Sequence, residues 1–206
     1  MAKYQGSIYG SISGQQLGSV GSRWKGIDYI RQYVIPNNPK TAAQTLQRTI
    51  FSNVCGFLRK LVSSVLNPYW LPAPKKMSAF NAAMALNVPL QEGAVFNPML
   101  IKVTQGSLYN PGFAVAPTKQ PTMLQISWNT NLVGDALATD VFHAAVYDTL
   151  ADTFRYATAA RSVGTIEILN ADLGTVAEGD PVFLFAVNAL GTVVSDSVVA
   201  AIVGPA

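Results

Sequence analysis

Residues 183–199 read FLFAVNALGTVVSDSVV. The apolar run FLFAV is closed by the turn residues of NALG, and a second short run follows. A run, a turn and a run over so short a length is a β-hairpin. The same punctuation continues backwards along the chain. MLQISW, VFHAAVYDT, FRYATA, GTIEILNADL and DPVFLFAVNA are short apolar segments separated by Gly, Asn and Asp clusters, and SDSVVAAIV closes the series. From about Pro121 onward this pattern predicts six or seven strands, which is the signature of a β-sandwich.

Trp128 falls in an early strand of that series and Tyr147 in a middle one, and FLFAVNALG followed by TVVSDSVV occupies the place of the last two. On these residues the segment 118–204 resembles a fibronectin type III-like, and so Ig-like, domain. The resemblance implies a fold and says nothing of function.

Upstream the pattern differs. Glycines at 6, 10, 14, 18, 21 and 26 sit among Ser, Gln and Tyr, which argues against a membrane helix and a soluble one alike. Short strands and turns fit better, or else an arm over the first 20 or so residues that orders only on assembly. WKGIDYIRQYVI, residues 24–35, reads as a strand. Pro36 and Pro39 disfavour a helix there, and Thr41 with Gln44 forms a capping box that predicts a helix start. Leu46, Ile50, Val54, Phe57, Leu58, Leu61 and Val65 then recur on one helix face, with Pro68 as the expected end. NPYWLPAP is a proline-rich turn, and Ser78 opens a second helix, SAFNAAMALN. The two helices are expected to form a hairpin packed on the N-terminal strands. Residues 88–120 read as extended, with a strand in LIKVTQGSL and a turn at YNPG. The expected architecture is α+β: an assembly module of strands and a helical hairpin over 1–117, then an Ig-like sandwich over 118–206.

Only 12% of the residues are charged, about half the usual share, while 50% are hydrophobic. A surface that poor in charge fits faces covered by neighbouring chains. The net charge of +3 hides an asymmetry. Residues 1–76 carry ten cations against Asp28 alone, a balance of +9, and residues 121–206 carry Arg155 and Arg161 against nine acids, a balance of −7. Such asymmetry points to an interaction, with nucleic acid or with an oppositely charged protein surface. MAKYQGSIYG has no apolar signal core, and no run approaches the length of a membrane span, so synthesis in a bacterial cytoplasm is expected.

The stretch GSVGSRWKGIDYIRQYVIPNNPKTAAQTLQR, residues 18–48, is where chemistry would be sought. It holds no GxxxxGK[ST], and its glycines do not open a helix after a strand, so neither a phosphate loop nor a dinucleotide fingerprint is present. Arg23, Trp24, Lys25, Tyr29 and Arg31 interleave cations with aromatics in the manner of single-strand nucleic-acid binders. The reading preferred here places Trp24 and the tyrosines in the core, with Arg23, Lys25 and Arg31 on a solvated edge. His143 lies within a strand, and Cys55 lies beside the helix stripe. No HExxH, GxSxG or clustered acidic loop occurs, so no enzyme, cofactor or metal is expected.

Gly18, Gly21, Ser22, Trp24, Lys25, Gly26 and Arg31, then Asn38, Pro39, Thr41, Gln44, Gln47, Arg48 and Phe51, then Lys75, Met77, Phe80 and Asn81, resemble an uncharacterised family found in Bacteroidota genomes. Related segments occur in bacteriophage structural gene clusters. The resemblance implies a small strand-helix module before an Ig-like domain, and no activity. The expected function is that of a structural, multi-copy virion component contacting itself head to tail and other virion proteins. The interaction residues would be Arg23, Trp24, Lys25, Arg31 and Arg48 on the basic side and Asp148 and Asp152 on the acidic side. A surface module that binds a glycan or protein ligand is the alternative. Nucleic-acid binding by the basic half is a third reading and the less favoured one.

Overall fold

The computed structural model describes residues 14–16, 18–35, 37–38, 40–70 and 77–204. The arm expected at the N-terminus lies outside the described residues up to position 13, as do Pro36, Pro39 and residues 71–76 of the expected proline-rich turn. The fold is mixed α+β, and the chain divides into two compact units, residues 1–41 and 42–206.

In the first unit β1 (Gly14–Gln16), β2 (Ser19–Trp24) and β3 (Ile27–Gln32) form an antiparallel sheet in that order. The strand expected over 24–35 is therefore split, since Trp24 ends β2 and Ile27 begins β3. Lys25 and Gly26 make the turn between them, with φ of 48° and 82°. Two positive φ values define a primed turn, whose twist matches that of the strands it joins. Glycine adopts this conformation freely, whereas Lys25 does so against its Cβ.

The second unit opens with α1 (Ala42–Arg59), directly after Thr41 as the capping pattern predicts. Its stripe Ile50, Val54, Phe57 and Leu58 is buried and runs on into Leu61 and Val65, while Leu46 is exposed. The helix changes form before Pro68. Residues Val62–Leu66 are π-helical, with the Leu66 N–H donating to the Leu61 carbonyl at 2.9 Å. The short α2 (Asn67–Tyr69) follows, and Pro68 sits in its first turn, where no N–H is needed. α3 (Ala79–Asn87) is capped by Ser78, whose hydroxyl accepts the Asn81 N–H at 3.2 Å.

The strand expected in LIKVTQGSL is absent. Ile101, Val103 and Leu108 are buried there, but side chains rather than a ladder satisfy much of the backbone. The Asn87 Oδ1 accepts the Lys102 N–H at 2.7 Å, and the Ser197 Oγ accepts the Val103 N–H at 2.9 Å. Gly106 runs so close to the chain opposite that a Cβ there would lie 2.0 Å from the Val194 carbonyl oxygen. At the expected YNPG turn, the Asn110 Oδ1 accepts the Gly112 N–H at 2.9 Å.

Seven strands follow: β4 (Phe113–Lys119), β5 (Met123–Trp128), β6 (Val141–Asp148), β7 (Thr153–Ala160), β8 (Thr165–Leu169), β9 (Pro181–Val187) and β10 (Val198–Ala201), with the single-turn α4 (Asn170–Leu173) after β8. They form two antiparallel sheets, β4-β5-β8 and β10-β9-β6-β7. Leu124, Ile126 and Trp128 of the first sheet share a buried cluster with Phe142, Val146 and Leu184 of the second.

Side chains alternate faces along a strand. The other side of the four-stranded sheet therefore presents Ala145, Tyr147, Phe183 and Phe185, which form a second cluster with Phe57, Leu58, Leu61 and Val65. The helices, expected on the N-terminal strands, thus cover a sheet face that would otherwise leave its aromatic residues in water. This cluster draws on residues from both sides of position 117. It also explains why FLFAV does not alternate: β9 is buried along its whole length, with a sheet on one side and helices on the other.

Candidate functional site

Arg23, Trp24, Lys25 and Arg31 come together on the β2–β3 hairpin. Directly opposed residues share a face of a sheet. Val20 with Arg31, Ser22 with Tyr29, and Trp24 with Ile27 form one face, and Gly21 with Ile30 and Arg23 with Asp28 form the other. Trp24 is 64% exposed, and the Lys25 ammonium lies over its ring at 4.9 Å. Arg23 pairs with Asp28 at 3.4 Å on the opposite face. The placement of Trp24 in a core is therefore corrected. Ile27, Ile30, Tyr33, Val34 and Ile35 are exposed with it, and the only buried position among the described residues of this unit is Gly21. In sequence the cations and Trp24 mark this segment, whereas its aliphatic residues look the same as those of any buried strand.

Arg48 lies on an exposed turn of α1, in the second unit. The two acids lie close together in sequence around the β6–β7 turn, yet their environments differ. Asp148 is fully buried. Its Oδ1 accepts the Leu150 and Ala151 N–H groups at 3.0 and 2.9 Å, and its Oδ2 accepts the Thr175 hydroxyl at 2.5 Å. Burial alone would push its pKa up, but the bonds from Ala151, Thr175 and Leu150 outweigh that and hold it below the usual value. A carboxylate used in this way braces the turn and offers no face to another chain. Asp152 is exposed and adopts φ of 56°. Its Oδ1 receives both the Lys60 ammonium and the Tyr147 hydroxyl, the latter at 2.6 Å. These two bonds, that of Lys60 first, hold its pKa below the usual value, whereas burial and then Asp152 raise that of Tyr147. Nothing in the sequence pairs Lys60 with Asp152, because only the layering of α1 on the sheet brings them together.

The acidic balance of the C-terminal half is smaller at the surface than in the sequence. Asp140, Asp148 and Asp180 are all buried, and so is Arg161. Arg161 lies 3.4 Å from the Asp140 Oδ2 through its Nε, without hydrogen-bond geometry, and stacks over Phe142 at 4.8 Å. His143 sits between Tyr69 and Phe185, with ring centroids 4.8 and 5.1 Å away, and its pKa is lowered by burial to about 4. Cys55 is a free, half-buried thiol packed against the helix-side cluster. Among the described residues, no helix is long and apolar enough to cross a membrane.

The molecule is thus an α+β protein that joins an exposed three-stranded sheet to a unit of two packed sheets backed by helices. Residues 11–201 match a family of unknown function (DUF6266), and the chain belongs to that family. No curated protein and no solved structure matches it.

Proposed function

We propose that this protein is a non-enzymatic structural subunit, a multi-copy virion component that assembles through its N-terminal sheet. The observation that carries the reading is the absence of a core beneath that sheet: among the described residues of the first unit, no side chain is buried. Two or three strands without a packed face are at best marginally stable in water. A sheet that exposes Trp24, Ile27, Ile30, Tyr33, Val34 and Ile35 gains stability by covering them with protein. The virion placement rests on the resemblance of the NPKTxxQxxQR stretch to phage structural segments. The C-terminal unit is read as an Ig-like domain of the fibronectin type III type, on the strength of its sheet order β4-β5-β8 against β10-β9-β6-β7.

Copies meet head to tail in this reading, the basic hairpin of one against the acidic unit of the next. The acids available are the exposed ones, such as Asp135, Glu167, Asp172 and Asp196, and not Asp148. The subunit is made in the bacterial cytoplasm and ends in the virion. Sedimentation velocity on the full chain is the test. Concentration-dependent assembly is expected, and replacing Trp24, Ile27 and Ile30 together by Ser should yield a folded monomer. A wild-type protein that stays monomeric at every concentration overturns the proposal.

A second reading has its own support, since Trp24 and Arg31 share the exposed face with Tyr29, as on a base-stacking platform. The aliphatic residues beside them cannot stack on bases, and for that reason protein contact is preferred. Retention of a single-stranded oligonucleotide that weakens steeply with salt would favour the second reading.

A further inference from the structure

A cavity of about 280 Å³ opens in the second unit between α1 and the β6–β7 turn. Ser52, Asn53, Gly56 and Lys60 line it from the helix side, and Phe96 and Asp152 line it from the other. Ser52 and Gly56 lie four residues apart on one face of α1, and Lys60 follows in the turn just past its end. Phe57 and Tyr147 lie behind them, with ring centroids 4.9 Å apart at 70°, and Phe96 packs on Phe57 at 5.2 Å.

The polar groups here do more than tie the turn to the helix. That tie uses Lys60, the Tyr147 hydroxyl and one oxygen of Asp152. The second oxygen of Asp152 has no partner among the described residues, and neither the Ser52 hydroxyl nor the Asn53 amide has one. Asn53 is half-buried and lines the cavity. At Gly56 a Cβ would meet nothing within 4 Å, which leaves the middle of the helix-side wall open.

Charge narrows the ligand class. Lys60 and Asp152 neutralise each other, so the wall attracts neither an anion nor a cation strongly. What remains is a mixture of donors and acceptors beside an aromatic surface. Asn53 offers both, Ser52 offers both, and Asp152 accepts. A ligand that matches must be neutral, must carry hydroxyls that donate and accept, and must have an apolar C–H face for Phe96. Pockets for drug-sized ligands run to about 300–1,000 Å³, so this one suits a single ring.

We propose that the cavity binds one neutral hydroxylated ring, a saccharide residue, with Asn53, Ser52 and Asp152 bonding its hydroxyls and Phe96 packing on its C–H face. This site is independent of the N-terminal sheet, so the proposal stands or falls apart from the assembly reading.

Ligand-observed NMR on the full chain tests it, with glucose, galactose and N-acetylglucosamine as probes and gluconate and glucosamine as charged controls. Binding of at least one neutral sugar is expected, with no tighter binding of the charged ones. Asn53→Ala should weaken it about tenfold, the loss of roughly one hydrogen bond to the ligand. Gly56→Leu should abolish it by filling the cavity. Leucine has the higher helix propensity and the site has room for it, so the urea midpoint should not fall. Absence of binding by all three neutral sugars overturns the proposal. So does binding that is indifferent to both substitutions, or tighter binding of gluconate or glucosamine.

Discussion

The indole N–H of Trp128 donates to the backbone carbonyl of Arg161 at 3.0 Å, which joins the end of β5 to the loop after β7. The Trp128 backbone N–H donates at 3.0 Å to the Gly164 carbonyl, and the ring stacks on Phe142 with centroids 4.6 Å apart. Trp128 is 3% exposed, so one side chain ties together both sheets and the loop between them.

Trp128→Ala should therefore cost about 3–5 kcal/mol, from lost burial and the cavity left behind. Trp128→Phe keeps much of the apolar contact but strands the Arg161 carbonyl, and should cost about 1–3 kcal/mol. Urea unfolding followed by circular dichroism separates the two. Equal losses for both variants would show that the hydrogen bond contributes nothing.

Arg161 and Asp140 form a buried pair in which the Arg161 Nε and Nη1 and the Asp140 Oδ1 make no hydrogen bond to the described residues. The Arg161 Nη2 donates to the Tyr109 carbonyl at 2.7 Å. Removing one charge from such a pair leaves the other buried alone, which costs about 3–5 kcal/mol. Arg161→Met should show that loss, and adding Asp140→Asn should recover part of it. A double variant no more stable than Arg161→Met alone would mean that the two charges do not interact.

Much of the second unit is legible in the sequence, because its strands are short, apolar and punctuated. Helix α1 is legible for the same reason, since its stripe from Ile50 to Val65 has a clean period. What local pattern could not convey is which surface covers which. Phe57 and Phe183 are far apart in the chain, and each looks like core without naming a partner. The segment 101–108 shows a related limit. Its apolar alternation looks like a strand, but Asn87 and Ser197 supply the hydrogen bonds that a ladder would otherwise make. On the hairpin, an alternation of Trp, Tyr and Ile is the same in sequence whether a core lies beneath it or not. The charge asymmetry misled in another way, since a count of acids cannot tell a buried Asp148 from an exposed Asp135.

Asp148 gives a third prediction. Asp148→Ala removes the acceptor for two turn N–H groups and for Thr175, and should cost about 1.5–3 kcal/mol. Asp152→Ala should cost less, because its carboxylate is exposed to water, whereas that of Asp148 is buried. Thermal melts of both variants decide. A larger loss at Asp152 than at Asp148 would overturn this account of the turn.

The last prediction concerns acid. His143 is held neutral between Tyr69 and Phe185, with its pKa lowered by burial from 6.5 to about 4. The unfolded chain therefore takes up a proton at a higher pH than the folded chain does. Stability contributed by the neutral ring is fully present above pH 6.5 and is lost as the pH falls from 6.5 to about 4. Asp148 acts in a lower window. Its folded pKa is depressed below 3.8, so its contribution is present above that value and is lost only as the pH falls further. The two effects thus separate along the pH axis. The urea midpoint of the wild type should drop between pH 6.5 and about 4. His143→Phe keeps an aromatic ring against Phe185 and removes the proton, so its midpoint should stay nearly level across that window. Both proteins should then lose stability together at lower pH, where carboxylates take up protons. A wild-type midpoint that is flat through the upper window, or a variant that falls in parallel with it, would show that His143 is not the group responsible.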